Sequence, residues 1–268
     1  MQAPFLAPAA AAFDAIAPQF DTRFRPWLSV EAQRRAIRRE LAAAFPMRSR
    51  LIEIGGGTGE DALWLADRGR TVLMTDPSPR MVAAASAKSG ARIRTVVAAG
   101  EEFGKLAEEL NSEPSFDGAY SVFAALNCVA DLTSFGRGIA RLLRKDAPLI
   151  LVMFGTCCPG EMLVETLRGR PANALRRFRR GDVPARLGGR DFTVRYHRRR
   201  DLQRMLSPWF RLESRRGIGV FVPPSAAEPC ISSHPRLLGT LEALDRGMSR
   251  PLAVFGDHIL YRFVRSAA

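Results

Sequence analysis

The 268-residue chain is 47% hydrophobic and 25% charged, with 22 glycines and 18 prolines, enough apolar material for one large or two small globular domains. Its 40 basic residues against 27 acidic ones give a formal charge of +13, and 37 of the 40 are arginine. This composition excludes a disordered chain, and the longest uncharged apolar run, 147–158, is too short to cross a bilayer.

Along the chain, 30–44 has the spacing of an amphipathic helix. From there short apolar runs alternate with helix-length amphipathic stretches. Strands are predicted at 51–54, 71–75, 93–97, 116–123 and 149–154, and helices at 58–68, 79–88, 101–110 and 131–144. Ser78 is placed to cap the 79–88 helix, with Pro79 at its first position. Beyond residue 155 the pattern changes: helix at 161–180, loop at 181–189, strand at 192–196, helix at 198–206, strand at 210–222, helix at 235–248 and strand at 258–264. Repeated strand–helix units imply an α/β fold of Rossmann-like, doubly wound type. We expect a mostly parallel seven-stranded sheet with an antiparallel edge strand, the two late strands pairing antiparallel at one edge, and a helical substrate-cap insertion. Ligands of such sheets bind beyond the carboxyl ends of the strands. Four segments are expected: 1–45, an N-terminal flap and helix; 46–156, a cofactor-binding core; 157–209, an Arg-rich helical cap; and 210–268, strands completing the sheet.

The first eight residues lack a basic region and do not read as a secretory signal, so a cytoplasmic protein is expected. Cys128, Cys157, Cys158 and Cys230 show no Cys-x-x-Cys spacing. They read as small buried thiols, with neither a disulfide framework nor a metal site.

The central signal is Glu53-Ile-Gly-Gly-Gly-Thr-Gly-Glu60, a strand entering a glycine turn that opens a helix. Glycines serve where the backbone turns sharply and a ligand lies against it. The run 57–62 also satisfies the Gly-x-Gly-x-x-Ala dinucleotide fingerprint, so the motif alone leaves two cofactor types open. Charge separates them. A pyrophosphate at the helix start would meet Glu53, Glu60 and Asp61, whereas a carboxylate there suits a cation. S-adenosylmethionine carries both an ammonium and a sulfonium. Asp76, at the end of the second strand, can accept both ribose hydroxyl protons in either cofactor type, or act as a turn residue in Asp-Pro-Ser-Pro.

These motifs together resemble those of class I S-adenosylmethionine-dependent methyltransferases of the group that modifies small molecules. The likeness is close over 13–155 and holds only in outline beyond. Glu53 through Gly59 corresponds to the first motif, Thr75 through Met81 to the second, Ala98 through Phe103 to the adenine-side loop, and Phe116 through Cys128 to the fourth-strand motif. The resemblance implies that Glu53, with carbonyls near Gly55, holds the methionine ammonium. Gly55 and Gly57 would form the turn, Asp76 with Pro77 would meet the ribose, and Met81 would pack on the adenine. Phe123 would lie beside the methionine moiety, and Phe13 and Phe20 would belong to a flap closing over the cofactor, by direct contact or as a helix face packed on the domain. Glu101 and Glu102 stand in the adenine-side loop one or two residues later than that family's usual acid, where Glu101 or a backbone amide would contact the adenine amine.

Methyl transfer from a sulfonium is an in-line displacement that needs alignment and exclusion of water. A base is required only if the acceptor must lose a proton. Of His197, His234 and His258, His197 is the candidate base, because it precedes a helix in the segment expected to close the acceptor pocket; its plain reading is a solvent-facing histidine at a helix start. His234 and His258 read as structural. The fourth strand is followed by Phe123-Ala-Ala-Leu126, not the Pro-Pro-aromatic run of amino-methylating DNA enzymes.

The charge is unevenly placed: residues 1–160 carry +2, 161–217 carry +10 and 218–268 carry +1. The expected function is methyl transfer to a small-molecule acceptor (secondary metabolite, quinone or lipid-like), which the basic segment would suit if anionic or carrier-bound. The alternative is an RNA methyltransferase binding phosphates through 161–217. A protein that keeps the cofactor fold without catalysis is a third possibility, and the basic segment can also be simply a solvated arginine face.

Overall fold

The computed structural model describes residues 6–111 and 115–266. Residues 1–5, where the signal-sequence reading begins, and 267–268, the end of the expected C-terminal segment, lie outside them. In chain order the helices and strands are α1 (Pro8–Ile16), α2 (Phe20–Phe24), α3 (Leu28–Ala44), β1 (Arg50–Ile54), α4 (Glu60–Ala66), β2 (Thr71–Asp76), α5 (Pro79–Ser89), β3 (Arg94–Val97), α6 (Phe103–Glu109), β4 (Gly118–Ser121), α7 (Leu132–Leu142), β5 (Pro148–Phe154), α8 (Pro159–Leu167), α9 (Pro171–Ala174), β6 (Asp182–Leu187), β7 (Arg190–Arg195), α10 (Arg199–Leu206), β8 (Phe210–Ile218), α11 (Pro235–Met248) and β9 (His258–Arg265).

Seven strands form one sheet in the order β3-β2-β1-β4-β5-β9-β8. The pairs from β3 to β5 are parallel, and β9 is antiparallel to both neighbours. The antiparallel strand thus sits one place in from the edge, with β8 outermost. Strand order reverses between β1 and β4, which opens a crevice at their carboxyl ends.

Period-2 alternation along each strand feeds two cores. Ile52, Ile54, Leu149, Leu151 and Phe263 face α6, α7 and α10, while Leu51, Val72, Met74, Ile150 and Val152 face α3 to α5. Phe103 and Phe135 pack edge to face at 5.6 Å in the first core, and burial of each such ring is worth about 1.5–3 kcal/mol.

Ser78 caps α5 as expected, and Asp131 caps α7. Ser78 Oγ accepts from the Met81 amide at 3.1 Å, and Asp131 Oδ1 accepts from Thr133 and Ser134 at 2.9 and 3.0 Å.

Two expectations in the cap segment are corrected. The helix predicted at 161–180 ends at Leu167, where Gly169 turns left-handed (φ 70°) and Pro171 starts a separate short helix. The predicted loop at 181–189 is mostly strand, because β6 and β7 form a hairpin in the register Leu187↔Arg190. Gly188 and Gly189 close it, both at positive φ (56° and 78°), as a two-residue turn of the favoured hand requires. The cap is therefore part helix and part β-hairpin.

Among the described residues no helix is long and apolar enough to cross a membrane, and no group of His, Cys, Asp and Glu is placed to hold a metal ion.

Candidate cofactor and acceptor site

The glycine turn joins β1 to α4 with Gly55, Gly57 and Gly59 all at positive φ (68°, 56° and 79°). A Cβ on Gly55 would stand 2.4 Å from that of Ala125, whereas one on Gly57 would meet nothing within 4 Å. Gly55 thus allows the turns after β1 and β4 to touch, and Gly57 leaves backbone open to a ligand.

Glu53 lies beneath this turn with 0% exposure; its carboxyl makes no hydrogen bond of strict geometry, with the Ala62 amide and the equally buried Tyr120 hydroxyl as its nearest polar neighbours. Burial, reinforced by the nearby Asp61 charge, pushes its carboxyl well above the usual range. Ser121 Oγ, at the end of β4, is likewise buried and unpartnered. Unpartnered buried polar groups cost free energy, and a cationic ligand reaching Glu53 would offset that cost.

Asp76 ends β2. Its Oδ2 accepts from the Gly57 amide and its Oδ1 from the Ser78 amide, each at 2.9 Å. Burial outweighs these bonds and raises its carboxyl to about 6. Pro77 beside it is half-buried. Both acids of the adenine-side loop brace backbone: Glu101 accepts from the Ala130 amide at 2.8 Å and Glu102 from the Ala99 amide at 2.7 Å.

The flap packs across these elements. Met81, Ile16 and Ala17 form a buried cluster, with Phe13, Phe20, Phe24 and Leu187 against it, and Phe13 also meets Phe192 of the cap at 6.1 Å. Asp14 accepts from Ser78 Oγ at 2.8 Å and the Arg80 amide at 3.0 Å. Asp21 accepts from Thr58 Oγ1 and pairs with Lys88, both at 2.6 Å. In this closed arrangement Met81 is covered by the flap.

The expectation that Glu60 and Asp61 face a cationic ligand is corrected. Asp61 is paired with Arg34 and, at 2.7 Å, with Arg38, and Glu60 with Lys88 at 2.9 Å. These pairs are not visible in the sequence because Arg34 and Arg38 on α3 lie more than 20 residues from the loop acids. Glu53 alone of the three acids stands without a cationic partner.

At the other end of the crevice, Phe123 and Ala124 both take positive φ (50° and 62°), costly for non-glycine residues and often found at functional sites. They end β4 at Ser121, short of the predicted 123. The Phe123 ring lies under the Arg34 guanidinium at 4.7 Å and edge-on to His258 at 5.8 Å. His258 stacks on Phe154 at 5.0 Å, and Phe154 meets Tyr196 at 5.8 Å. Asn127 clamps the cap to the core, donating to the Arg195 carbonyl and accepting from the Phe154 amide at 3.1 Å.

His197 follows the end of β7. Burial, with Arg195 nearby, lowers its imidazole from the ordinary value, and its Nε2 is sealed and unpartnered. It stands directly before Arg198, the N-cap of α10, as its plain reading has it, but half-buried and not facing solvent. The buried group that sequence reasoning missed is Arg177, 4% exposed. It bonds Glu161, Asp257 Oδ1 at 2.6 Å and the Gly155 carbonyl at 3.2 Å. Nothing in the arginine run 176–180 marks it apart from its neighbours.

Residues 52–151 match the family described as Methyltransferase domain. No curated protein sequence matches the chain. Among solved structures, an S-adenosylmethionine-dependent methyltransferase from Mesorhizobium loti is 20% identical with a TM-score of 0.51, covering 84% of this chain and 96% of that one. The CcbJ methyltransferase from Streptomyces caelestis is 15% identical with a TM-score of 0.54, covering 88% and 90%. The [4+2]-cyclase SpnF is 14% identical with a TM-score of 0.58, covering 100% of both chains. At these identities the structural likeness concerns the fold, and the family match concerns the core. Glycine turn, buried acid and reversed strand order lie within the core that the family match covers: residues 52–151 form a methyltransferase domain.

Proposed function

We propose that the protein transfers a methyl group from S-adenosylmethionine to a small-molecule acceptor seated beyond the carboxyl ends of β4 and β5. The observation that carries this reading is Glu53: a fully buried carboxyl under the glycine turn with no ion pair fits an ammonium-bearing ligand and, once ionised, opposes a doubly anionic one.

The bound cofactor supplies an electrophilic methyl group on a sulfonium. The chain's own residues bind, orient and exclude water. Glu53 meets the ammonium, the Gly57 backbone lies against the ligand, and Asp76, once ionised, accepts from the ribose hydroxyls. The flap, latched by Asp14 and Asp21, covers the crevice, as exclusion of water from a displacement requires. We assign the segment 157–209 to the acceptor's cover, on the strength of the Asn127 clamp and the Phe13–Phe192 contact. Phe123, Phe154 and Tyr196 give the acceptor an aromatic surround.

Because one fold hosts several reactions, the test measures product. Purified protein is incubated with S-adenosylmethionine and a panel of phenols, amines and quinols, and S-adenosylhomocysteine release is followed. Acceptor-dependent release at least tenfold above the acceptor-free rate is expected. Release only with total RNA would replace this reading with an RNA methyltransferase, and cofactor binding without release would replace it with a non-methylating use of the fold.

A further inference from the structure

We propose that His258 is the base that takes the acceptor's proton, and that the acceptor is an aromatic hydroxyl compound. The proposal rests on the methyl-transfer reading above.

The first observation is position. His258 opens β9 in register with Phe154, the last residue of β5, so it stands at the carboxyl edge of the parallel strands, between Phe154 and Phe123. Ligands of open α/β sheets bind at this edge.

The second observation is the hydrogen-bond complement of the ring. Nδ1 lies 3.2 Å from Gln33 Oε1 and 3.3 Å from Asp257 Oδ2. The Gln33 amide nitrogen donates to the same Asp257 Oδ2 at 3.1 Å. The opposite orientation of that amide would set its carbonyl against a carboxylate, so the donor must face Asp257 and the acceptor must face His258. Both neighbours of Nδ1 are then acceptors, and Nδ1 carries the hydrogen. In the neutral ring the lone pair is left on Nε2, which has no hydrogen-bond partner among the described residues, on a ring that is 6% exposed between Phe154 and Phe123. An imidazole whose Nδ1–H is held by a carboxylate, with Nε2 free, is the arrangement a general base needs.

The remaining groups around the ring balance in charge. Asp257 is bonded by Arg177, Arg177 by Glu161 and Glu161 by Arg176, so two acids meet two arginines. From other elements the ring also neighbours Phe123, itself under Arg34, and Phe154, which meets Tyr196. Cys158 approaches Asp257 at 4.0 Å. Asp257 is bonded to Arg177 through Oδ1 and lies 3.3 Å from the ring through Oδ2, where it can stabilise the imidazolium that forms. The aromatic walls suit an aromatic acceptor, since rings pair by offset or edge contacts.

In the step, the acceptor's O–H bond breaks toward Nε2 as the oxygen's electron pair forms the bond to the methyl carbon. The carbon–sulfur pair returns to sulfur, leaving a neutral thioether. The imidazolium of His258 then gives its proton to water.

The test begins without methyl donor. Wild-type protein titrated with 4-nitrophenol is expected to bind it and to show the phenolate absorbance band at pH values where the free probe is neutral. His258→Gln is expected to lose the band. Nitrogen-15 spectra of the free protein are expected to show the Nδ1–H tautomer at His258. In turnover with a phenolic acceptor, His258→Gln is expected to lose roughly 100-fold or more together with the acidic limb of the pH profile, and Gln33→Leu to show a smaller loss of the same kind. An Nε2–H tautomer, no phenolate band in the wild type, or an unchanged pH profile in a folded His258→Gln variant would overturn the proposal, as would these losses in His197→Gln alone. Methyl transfer to any acceptor that persists in His258→Gln leaves the wider reading standing, whereas failure to bind S-adenosylmethionine removes that reading itself.

Discussion

Arg177 governs the buried charge behind Phe154 and His258. It is 4% exposed and meets two buried acids, Glu161 and Asp257. Removing one member of such a set strands the others without compensation, at a cost of about 3–5 kcal/mol. Arg177→Leu is therefore expected to lower the free energy of unfolding by that much, read as a fall in denaturant midpoint at unchanged slope, and a loss below about 1 kcal/mol would show that the acids find other partners. The pH dependence has a definite sign. Burial alone would raise the Asp257 carboxyl, but His258 and Arg177 outweigh it and hold the group well below the carboxylate range. A folded value below the unfolded one contributes stability that is present above about pH 4 and lost as pH falls further. Arg177→Leu should flatten that acid limb.

At the scale of elements, α1 and α2 are held against the start of α5 and the glycine turn by two side-chain latches. The two latches differ: Asp14 holds α1 to the start of α5, and Asp21 holds α2 to Thr58 and Lys88. Asp21→Asn removes a charge-assisted contact at a half-exposed position, worth about 1 kcal/mol after solvent screening. The expected result is faster amide exchange over 8–24 and a roughly fivefold weaker affinity for S-adenosylmethionine, with little change in midpoint temperature. Unchanged exchange would mean that the Phe13, Ile16 and Met81 contacts hold the flap without the latch. The central strands and helices were legible because their signals are local: period-2 apolar runs, apolar residues at helical spacing, a serine cap before Pro79. Those that sequence misjudged depend on backbone turns. The Gly188-Gly189 hairpin had a readable cue, two glycines between alternating residues, whereas the early end of β4 depends on Phe123 and Ala124 adopting a conformation that no residue type there announces.

For the whole molecule, the +10 segment resolves into paired and free arginines. Arg168, Arg176, Arg177, Arg186, Arg195, Arg204 and Arg216 each meet a carboxylate, while Arg170, Arg179, Arg180, Arg190 and Arg198 through Arg200 are exposed. Part of the excess is thus internal structure of the cap, a use that net charge could not reveal because pairing is set by the fold. The same holds for the site. Asp76 and the glycine turn were readable from local motifs, but the isolation of Glu53 became visible only when Asp61 and Glu60 were seen paired with Arg34, Arg38 and Lys88.

That isolation allows the most direct test. Burial raises the Asp76 carboxyl to about 6, and burial with the Asp61 charge raises that of Glu53 well above its usual range. A ligand that bonds their ionised forms must release protons on binding, so affinity should tighten as pH rises through about 6. Calorimetric titration of S-adenosylmethionine into the protein from pH 5 to pH 8, in buffers of different ionisation enthalpy, measures both quantities. The account predicts saturable binding with proton release, and Glu53→Gln should bind at least tenfold more weakly and release fewer protons. Absence of binding, or binding that is indifferent to pH and to Glu53→Gln, would contradict it.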